Sequence, residues 1–118
     1  MPKLTDLLRL ARPHQWAKGV FVLIGPLYGL RAIAPGGLSR VALHAVVAFV
    51  IFGLVSSACY VVNDILDADA DQNHPRKRRR PIPSGAVSVP HARVMAVVCL
   101  IAAAALHLLL DRAVAPWV

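Results

Sequence analysis

Four aspartates, Asp64, Asp67, Asp69 and Asp71, lie within eight positions of one another, and five consecutive cationic residues, Arg76 to Arg80, follow them. The whole chain of 118 residues carries only six acidic side chains, all Asp. Most of its negative charge is therefore gathered in one short stretch, where the carboxylates repel one another unless a cation compensates. Asn63, Asp67 and Asp71 recur every fourth residue. On a helix they form one stripe that drifts by about 40° per step, with Asp64 on its flank and Asp69 turned away toward solvent. Hard oxygen ligands that do not enclose an ion suit Mg²⁺, which keeps waters and completes its shell with substrate phosphates. Mn²⁺ is expected to substitute, since it accepts the same octahedral oxygen coordination. Arginines supply bidentate donors for phosphate oxygens. Pro75, Pro81 and Pro83 predict a rigid, non-helical loop, and Ser84-Gly85 a tight turn after it. An acidic helix end, a basic loop and a turn are what holding a Mg-diphosphate requires. The metal candidates are Asn63, Asp64, Asp67 and Asp71. The phosphate-binding candidates are Lys77, Arg78 and Arg80, with Gln15 and Lys18 as further candidates at the mouth of the preceding apolar segment.

These residues must be positioned by their neighbours, and those are apolar. The chain is 58% hydrophobic and 16% charged, with a mean hydropathy of +0.61. A soluble domain carries about 25% charge, so the composition is that of a membrane protein. Residues 41–62 contain no formal charge at neutral pH, and a run of that length crosses a bilayer core of roughly 30 Å. The membrane helix predicted here covers 41–63, and small residues Gly53, Ser56, Ser57 and Ala58 suit close helix contact. A further span is predicted at 92–110, and residues 64–91 form the cytoplasmic helix end and polar loop between the two. His107 and Asp111, four apart, can pair at the end of the last span. His44 reads as an interfacial residue.

Residues 16–34 are a marginal first span, interrupted by Gly25-Pro26. Basic residues before an apolar run, and Ala32-Ile33-Ala34 after it, also fit a cleavable signal. The long leader and Pro26 favour a kinked membrane helix instead. Within the leader, residues 3–12 place Leu4, Leu7, Leu8 and Ala11 at helical spacing, which predicts a short amphipathic helix lying along the membrane surface. Cys59 and Cys99 sit in apolar runs without metal-ligand spacing and read as buried free thiols.

Lys and Arg are dense before the first span and between the second and third, and sparse between the first and second. The positive-inside rule then puts the N-terminus and the Asp/Arg loop in the cytoplasm and the C-terminus outside, in a multi-pass protein of the cell membrane. The Arg run taken alone is explained by topology, and the chain's net charge of +7 beside apolar spans points to lipid headgroups and anionic substrates, with no nucleic acid. The aspartates do not help insertion, and ionisable groups beside a span are a functional signal.

The pattern N-D-x-x-D-x-x-x-D from Asn63 to Asp71, followed by R-P-I-P-S-G from Arg80 to Gly85, resembles the first signature of the UbiA superfamily of membrane prenyltransferases. Within it, H-P-x-K-R-x-R-P-I from His74 to Ile82 is similar to the decaprenyl-phosphate phosphoribosyltransferase branch. So is A-R-P-H-Q-W-A-K-G-V-F-V-L from Ala11 to Leu23, although Gly19 stands where that branch more often has Asn. The resemblance implies an all-α, polytopic bundle of about nine helices, with two facing Asp-rich motifs, of which the first is here. The chain then looks like the N-terminal third of such an enzyme, inactive by itself, with three membrane helices and the leader helix. By the same resemblance the donor is phosphoribosyl diphosphate and the acceptor a polyprenyl (decaprenyl) phosphate, in Mg²⁺-dependent synthesis of a cell-wall arabinan precursor. The lipid phosphate is then the nucleophile and no catalytic side chain attacks. Two alternatives stand: prenyl transfer from a prenyl diphosphate to an aromatic acceptor, and a non-catalytic membrane subunit whose polar loop binds anionic lipid.

Overall fold

The computed structural model describes residues 1–29 and 37–114. Every element among them is helical. The order is α1 (Leu4–Ala11), a 3₁₀ segment (Pro13–Leu23), α2 (Ile24–Gly29), α3 (Leu38–Leu66), α4 (Ala68–Gln72), a 3₁₀ turn (Lys77–Arg79) and α5 (Val89–Val114). Two helices are long and apolar enough to cross a membrane, Leu38–Leu66 and Val89–Arg112. They pack side by side in a body 57 Å long and 24 × 21 Å across.

The 29 residues of α3 at about 1.5 Å each exceed a hydrocarbon core of roughly 30 Å. The excess carries Asn63 and Asp64 out on the last turn, beyond the apolar run. Beyond the predicted membrane part, backbone bonding runs on through the acidic helix end: Asp67 N–H donates to the Asn63 carbonyl at 2.9 Å, and Asp71 N–H to the Asp67 carbonyl at 2.8 Å. Asp67 itself (φ −87°, ψ −4°) is the shallow joint between α3 and α4. The third predicted span starts three residues before 92, at Val89. Ser88 explains this: its carbonyl accepts from Ala92 N–H at 3.0 Å and its hydroxyl meets His91 Nδ1 at 2.6 Å. Pro90 suits a first helical turn, where no N–H is needed.

The seam between α3 and α5 is built of small side chains. Ala58, Val61, Ala92 and Ala96 are buried there, joined by Ile82 and Val87 from the loop. Small residues let two apolar helices approach closely where lipid gives no hydrophobic drive. Many large apolar side chains on the outer faces stay exposed, including Val46, Val55, Val97, Ile101 and Leu108. That is the pattern of surfaces covered by lipid or by further helices. Cys59 is exposed and Cys99 half-buried, so the expectation of two buried thiols fails at Cys59, which lies on an outer face of α3. His107 and Asp111 do pair, at 3.5 Å.

The predicted span at 16–34 takes a different form. Its described part is 3₁₀ from Trp16 to Leu23 and α-helical only over Ile24–Gly29; residues 30–34 lie outside the described residues. Gly19 and Gly25 weaken helix propensity, and packing on α3 sets the path instead. A Cβ at Gly19 would stand 2.8 Å from Phe52 and 3.1 Å from Phe49, and one at Gly53 would overlap the Trp16 ring. Trp16 Nε1–H donates to Ser57 Oγ at 2.9 Å, and Ser57 O–H donates to the Ala11 carbonyl at 2.7 Å. Gly53→Ala is therefore expected to push the indole off α3 and cost about 1–3 kcal/mol, the range for overpacking. Unfolding in detergent measures this, with Gly25→Ala, where a Cβ meets nothing within 4 Å, as the neutral reference.

Helix α1 docks differently from its sequence wheel. Leu10 is fully buried and Leu7 packs against the same cluster, while Leu4 and Leu8 stay 71% and 51% exposed. One edge of the apolar stripe faces the protein and the other remains free for a membrane surface.

Candidate functional site

Two aspartates of the acidic stretch, Asp64 and Asp71, meet cations where the N-terminal leader crosses the end of α3. α1 stops at Arg12 because Pro13 follows it and disfavours helical backbone at the residue before. Arg12 takes up the left-handed conformation, φ 50° and ψ 56°, as no other non-glycine residue described does. For a branched-out L-residue this costs roughly 1–2 kcal/mol. The turn aims the guanidinium at α3. There Arg12 Nη2 donates to Asp64 Oδ1 at 2.6 Å, and its Cζ stands 5.1 Å from the Tyr60 ring centre, a cation–π distance. A charge-assisted bond and a stacked ring outweigh the backbone strain.

Arg80 closes the other side. Its Nη1 donates to Asp71 Oδ2 at 2.7 Å and lies 3.4 Å from Asp64 Oδ1. Lys77 Nζ is 4.0 Å from Asp71 Oδ1. Both carboxylates are 4% exposed, so they are buried and paired with cations from two different parts of the chain. Asp64 and Asp71 are seven residues apart, two helical turns, and so share a face. The turn after the basic run holds Arg80 in place. Pro81 and Ile82 are buried, Ser84 N–H donates to the Arg80 carbonyl at 3.0 Å, and Gly85 adopts φ 80°, where a side chain would be strained.

The stripe of Asn63, Asp67 and Asp71 is present as one face, since each is bonded through its backbone to the next. Its members differ in surroundings. Asn63 and Asp67 are exposed, and Asp67 has no cation within ion-pair distance among the described residues; Asp71 is shared with Arg80 and Lys77. Asp69 is exposed on the opposite side. No three metal-ligating side chains converge among the described residues. Mg²⁺ does not need them to, because one or two carboxylates suffice when phosphates and waters fill the shell. A free Asp67 next to Asn63, one turn from Asp71, fits that requirement. Asp64 is buried and shared between Arg12 and Arg80.

The basic candidates also separate. Arg80 and Lys77 stand at the aspartates; Arg78 is exposed and touches neither. Gln15 Oε1 accepts from Tyr60 O–H at 3.3 Å, which ties the 3₁₀ segment to α3, and Lys18 is exposed away from the acidic stretch. Residues 77–79 form a 3₁₀ turn inside the loop expected to be non-helical. Arg76 and Arg79 of the basic run, with Arg9 and His14 of the leader, gather around Arg12 and Arg80 at a cleft of about 290 Å³. Arg9 and His14 had no sequence signal of their own, whereas Arg76 and Arg79 belong to the basic run.

With that geometry in view, residues 20–118 match the UbiA prenyltransferase family. The chain belongs to this family. The UbiA-family chain is 42% identical over 92 residues to the decaprenyl-phosphate phosphoribosyltransferase of Mycobacterium tuberculosis, covering 78% of this chain and 30% of that protein. Its identity to the protein of the same name from Corynebacterium glutamicum is 44% over 92 residues, 77% of this chain and 27% of the relative. It is also 34% identical over 112 residues to the 4-hydroxybenzoate octaprenyltransferase of Paracidovorax citrulli, 95% of this chain and 36% of that one. The chain thus spans about a third, or less, of the length of the curated relatives it matches. Family membership and two apolar helices with outward-facing large side chains make it a helical membrane protein of a transferase family.

Proposed function

We propose that this chain is the donor-binding part of an Mg²⁺-dependent membrane transferase that moves a phosphoribosyl group from phosphoribosyl diphosphate to a polyprenyl phosphate. The observation that carries the reading is the exposed pair Asn63 and Asp67, one turn from buried Asp71, beside which Arg80 and Lys77 stand. Asp67, Asn63 and Asp71 hold the metal on the donor diphosphate. Asp64 anchors Arg12 and Arg80 instead. Bound Mg²⁺ supplies charge neutralisation of the departing diphosphate. Lys77 and Arg80 add donors to the same oxygens, where charge grows as the bond weakens. An oxygen of the lipid phosphate forms the new bond to C1 of the ribose, the C1–O bond to diphosphate breaks, and diphosphate leaves with the electron pair. A protein nucleophile is not required. The site then faces the cytoplasm of a cell-envelope membrane, where the product would feed arabinan assembly, and the rest of the cavity comes from the part of the relatives that this chain does not match.

Support for the phosphoribosyl donor comes from the relatives in Mycobacterium tuberculosis and Corynebacterium glutamicum and from His74 to Ile82. The octaprenyltransferase relative carries the second reading, transfer of a prenyl group to an aromatic acceptor. Both donors present a diphosphate, so the aspartates serve either. Membranes containing the gene product that carries this chain should incorporate label from phosphoribosyl diphosphate into lipid. Label entering an aromatic acceptor from prenyl diphosphate, with none from phosphoribosyl diphosphate, selects the second reading. No transfer from either donor returns the chain to the class of lipid-binding subunits.

Two further outcomes are expected. Lys77→Ala and Arg80→Ala should each weaken donor binding more than acceptor binding, whereas equal, small effects across all five positions from Arg76 to Arg80 mean the run acts only in topology. A cysteine placed at exposed Arg78 should react with membrane-impermeant maleimide only after the cytoplasmic side is opened; labelling in intact cells overturns the orientation.

A further inference from the structure

Between the aspartates and the basic run stands His74, to which the proposed function gives no role. Its side chain is exposed and has no carboxylate within 4.0 Å among the described residues. Its ring bonds to backbone instead. Nδ1 accepts from the N–H of Arg76 at 3.2 Å and from that of Lys77 at 3.3 Å. A ring nitrogen that serves two N–H donors must offer a lone pair, so the ring proton sits on Nε2. Donors two and three residues ahead are those that a capping side chain meets at the start of a helix. The main chain agrees. The His74 carbonyl accepts from Arg78 N–H at 3.2 Å, and Pro75, with no N–H to satisfy, stands where proline suits a first turn. His74 thus supplies the acceptor for the two N–H groups at the head of this turn.

That turn carries the cations of the site. Arg79 N–H donates to the Arg76 carbonyl at 3.3 Å and Arg80 N–H to that of Lys77 at 2.9 Å, so the backbone from 76 to 80 follows from how the turn starts. Two of its side chains reach Asp71, Arg80 Nη1 at 2.7 Å and Lys77 Nζ at 4.0 Å. The N–H of His74 is itself tied to the Asp71 carbonyl at 3.1 Å, so one residue joins the end of the acidic helix to the start of the basic turn. We infer that His74 is a positioning residue for the diphosphate donor: through the lone pair on Nδ1 it fixes the turn that brings Lys77 and Arg80 to the acidic stretch, and it touches neither metal nor substrate. The inference rests on the donor site of the proposed function. The role needs an acceptor at one atom, not a base, a metal ligand or a positive charge.

Asparagine and glutamine tell the two ring nitrogens apart. The side-chain oxygen of Asn falls near the place of Nδ1, and Asn is a preferred capping residue, whereas the longer Gln carboxamide reaches toward the place of Nε2. The measurement is the affinity for Mg-diphosphate, by calorimetric titration of the gene product that carries this chain. His74→Ala and His74→Gln should each weaken it about fivefold, the size of one lost cap. His74→Asn should stay within about twofold of the unchanged protein. The same ranking should hold for the KM of phosphoribosyl diphosphate, with the KM of the lipid acceptor unmoved. Hydrogen exchange of the 74–80 peptide, without donor or metal, should be faster in His74→Ala and His74→Gln and unchanged in His74→Asn. Equal affinities for His74→Asn and His74→Gln, or exchange that is the same in every variant, overturn the inference. A parallel rise in both KM values makes His74 a residue of general stability and overturns it as well. Absence of transfer by the unchanged protein counts against the proposed function alone, because the titration and the exchange decide the role of His74 without turnover.

Discussion

Asp67→Asn is expected to lower transfer by roughly a hundredfold or more, about 3–4 kcal/mol of transition-state stabilisation, the scale seen when one charge-stabilising group is removed from a preorganised site. The substitution removes a formal charge from the one carboxylate of the stripe that is exposed and free of cations among the described residues. Nothing in the fold depends on that charge, so stability should hold. Asp71→Asn should lose a similar factor and also loosen Arg80, whose bond to Asp71 is 2.7 Å. Asp69→Asn is the control: equally close in sequence, equally acidic, but about 200° around the helix from Asp67. Rates of the three single variants in the gene product that carries this chain make the measurement. If Asp67→Asn is as active as Asp69→Asn, the acidic stretch acts as diffuse charge and the metal site is discarded. Replacing Mg²⁺ by Mn²⁺ should preserve the ranking.

Asp64→Ala should produce the largest loss of stability. Its carboxylate, 4% exposed, is the shared partner of Arg12 and Arg80, which are 22% and 30% exposed. Removing one member of a buried ion pair costs about 3–5 kcal/mol because the partner's charge stays behind. Partial exposure of both guanidiniums screens that cost, so about 2–3 kcal/mol is expected. Arg12 would also keep its left-handed backbone without the bond that offsets it, so the leader should detach from α3 first. Unfolding of detergent-solubilised protein, with proteolysis at Arg9 or Arg12 as a local readout, separates this from a general loss. A change below about 0.5 kcal/mol, the size of an ordinary surface substitution, means that the triad is not what holds the leader in place.

Much of the helical layout was legible because it depends on local sequence. An uncharged run the length of residues 41–62 is a membrane helix by solvation alone, and Ser84-Gly85 had to turn because Gly85 tolerates φ 80°. The stripe of Asn63, Asp67 and Asp71 followed from the helical repeat. What was misjudged needed a partner distant in sequence. The segment after Pro13 reads as a kinked span, but Trp16 lying on Gly53 and bonded to Ser57 draws it into 3₁₀ turns along α3. Leu10 falls between Asp6 and Leu7 on the helical wheel, yet it is fully buried, because it packs into the cluster formed by α3, α5 and the loop.

The division of labour among the aspartates was set by tertiary structure alone. Composition and spacing determined that carboxylates and arginines would meet at the end of a membrane helix, and that a phosphate-bearing substrate with a divalent ion suits them. Spacing could not say which carboxylate faces which cation. Asp64 and Arg12 are 52 residues apart, and only the crossing of the leader over α3 brings them to 2.6 Å. That crossing buries Asp64 against two guanidiniums and leaves Asp67 open. Packing of the leader thus commits Asp64 to holding Arg12 while Asp67 stays open, a division that spacing alone could not set.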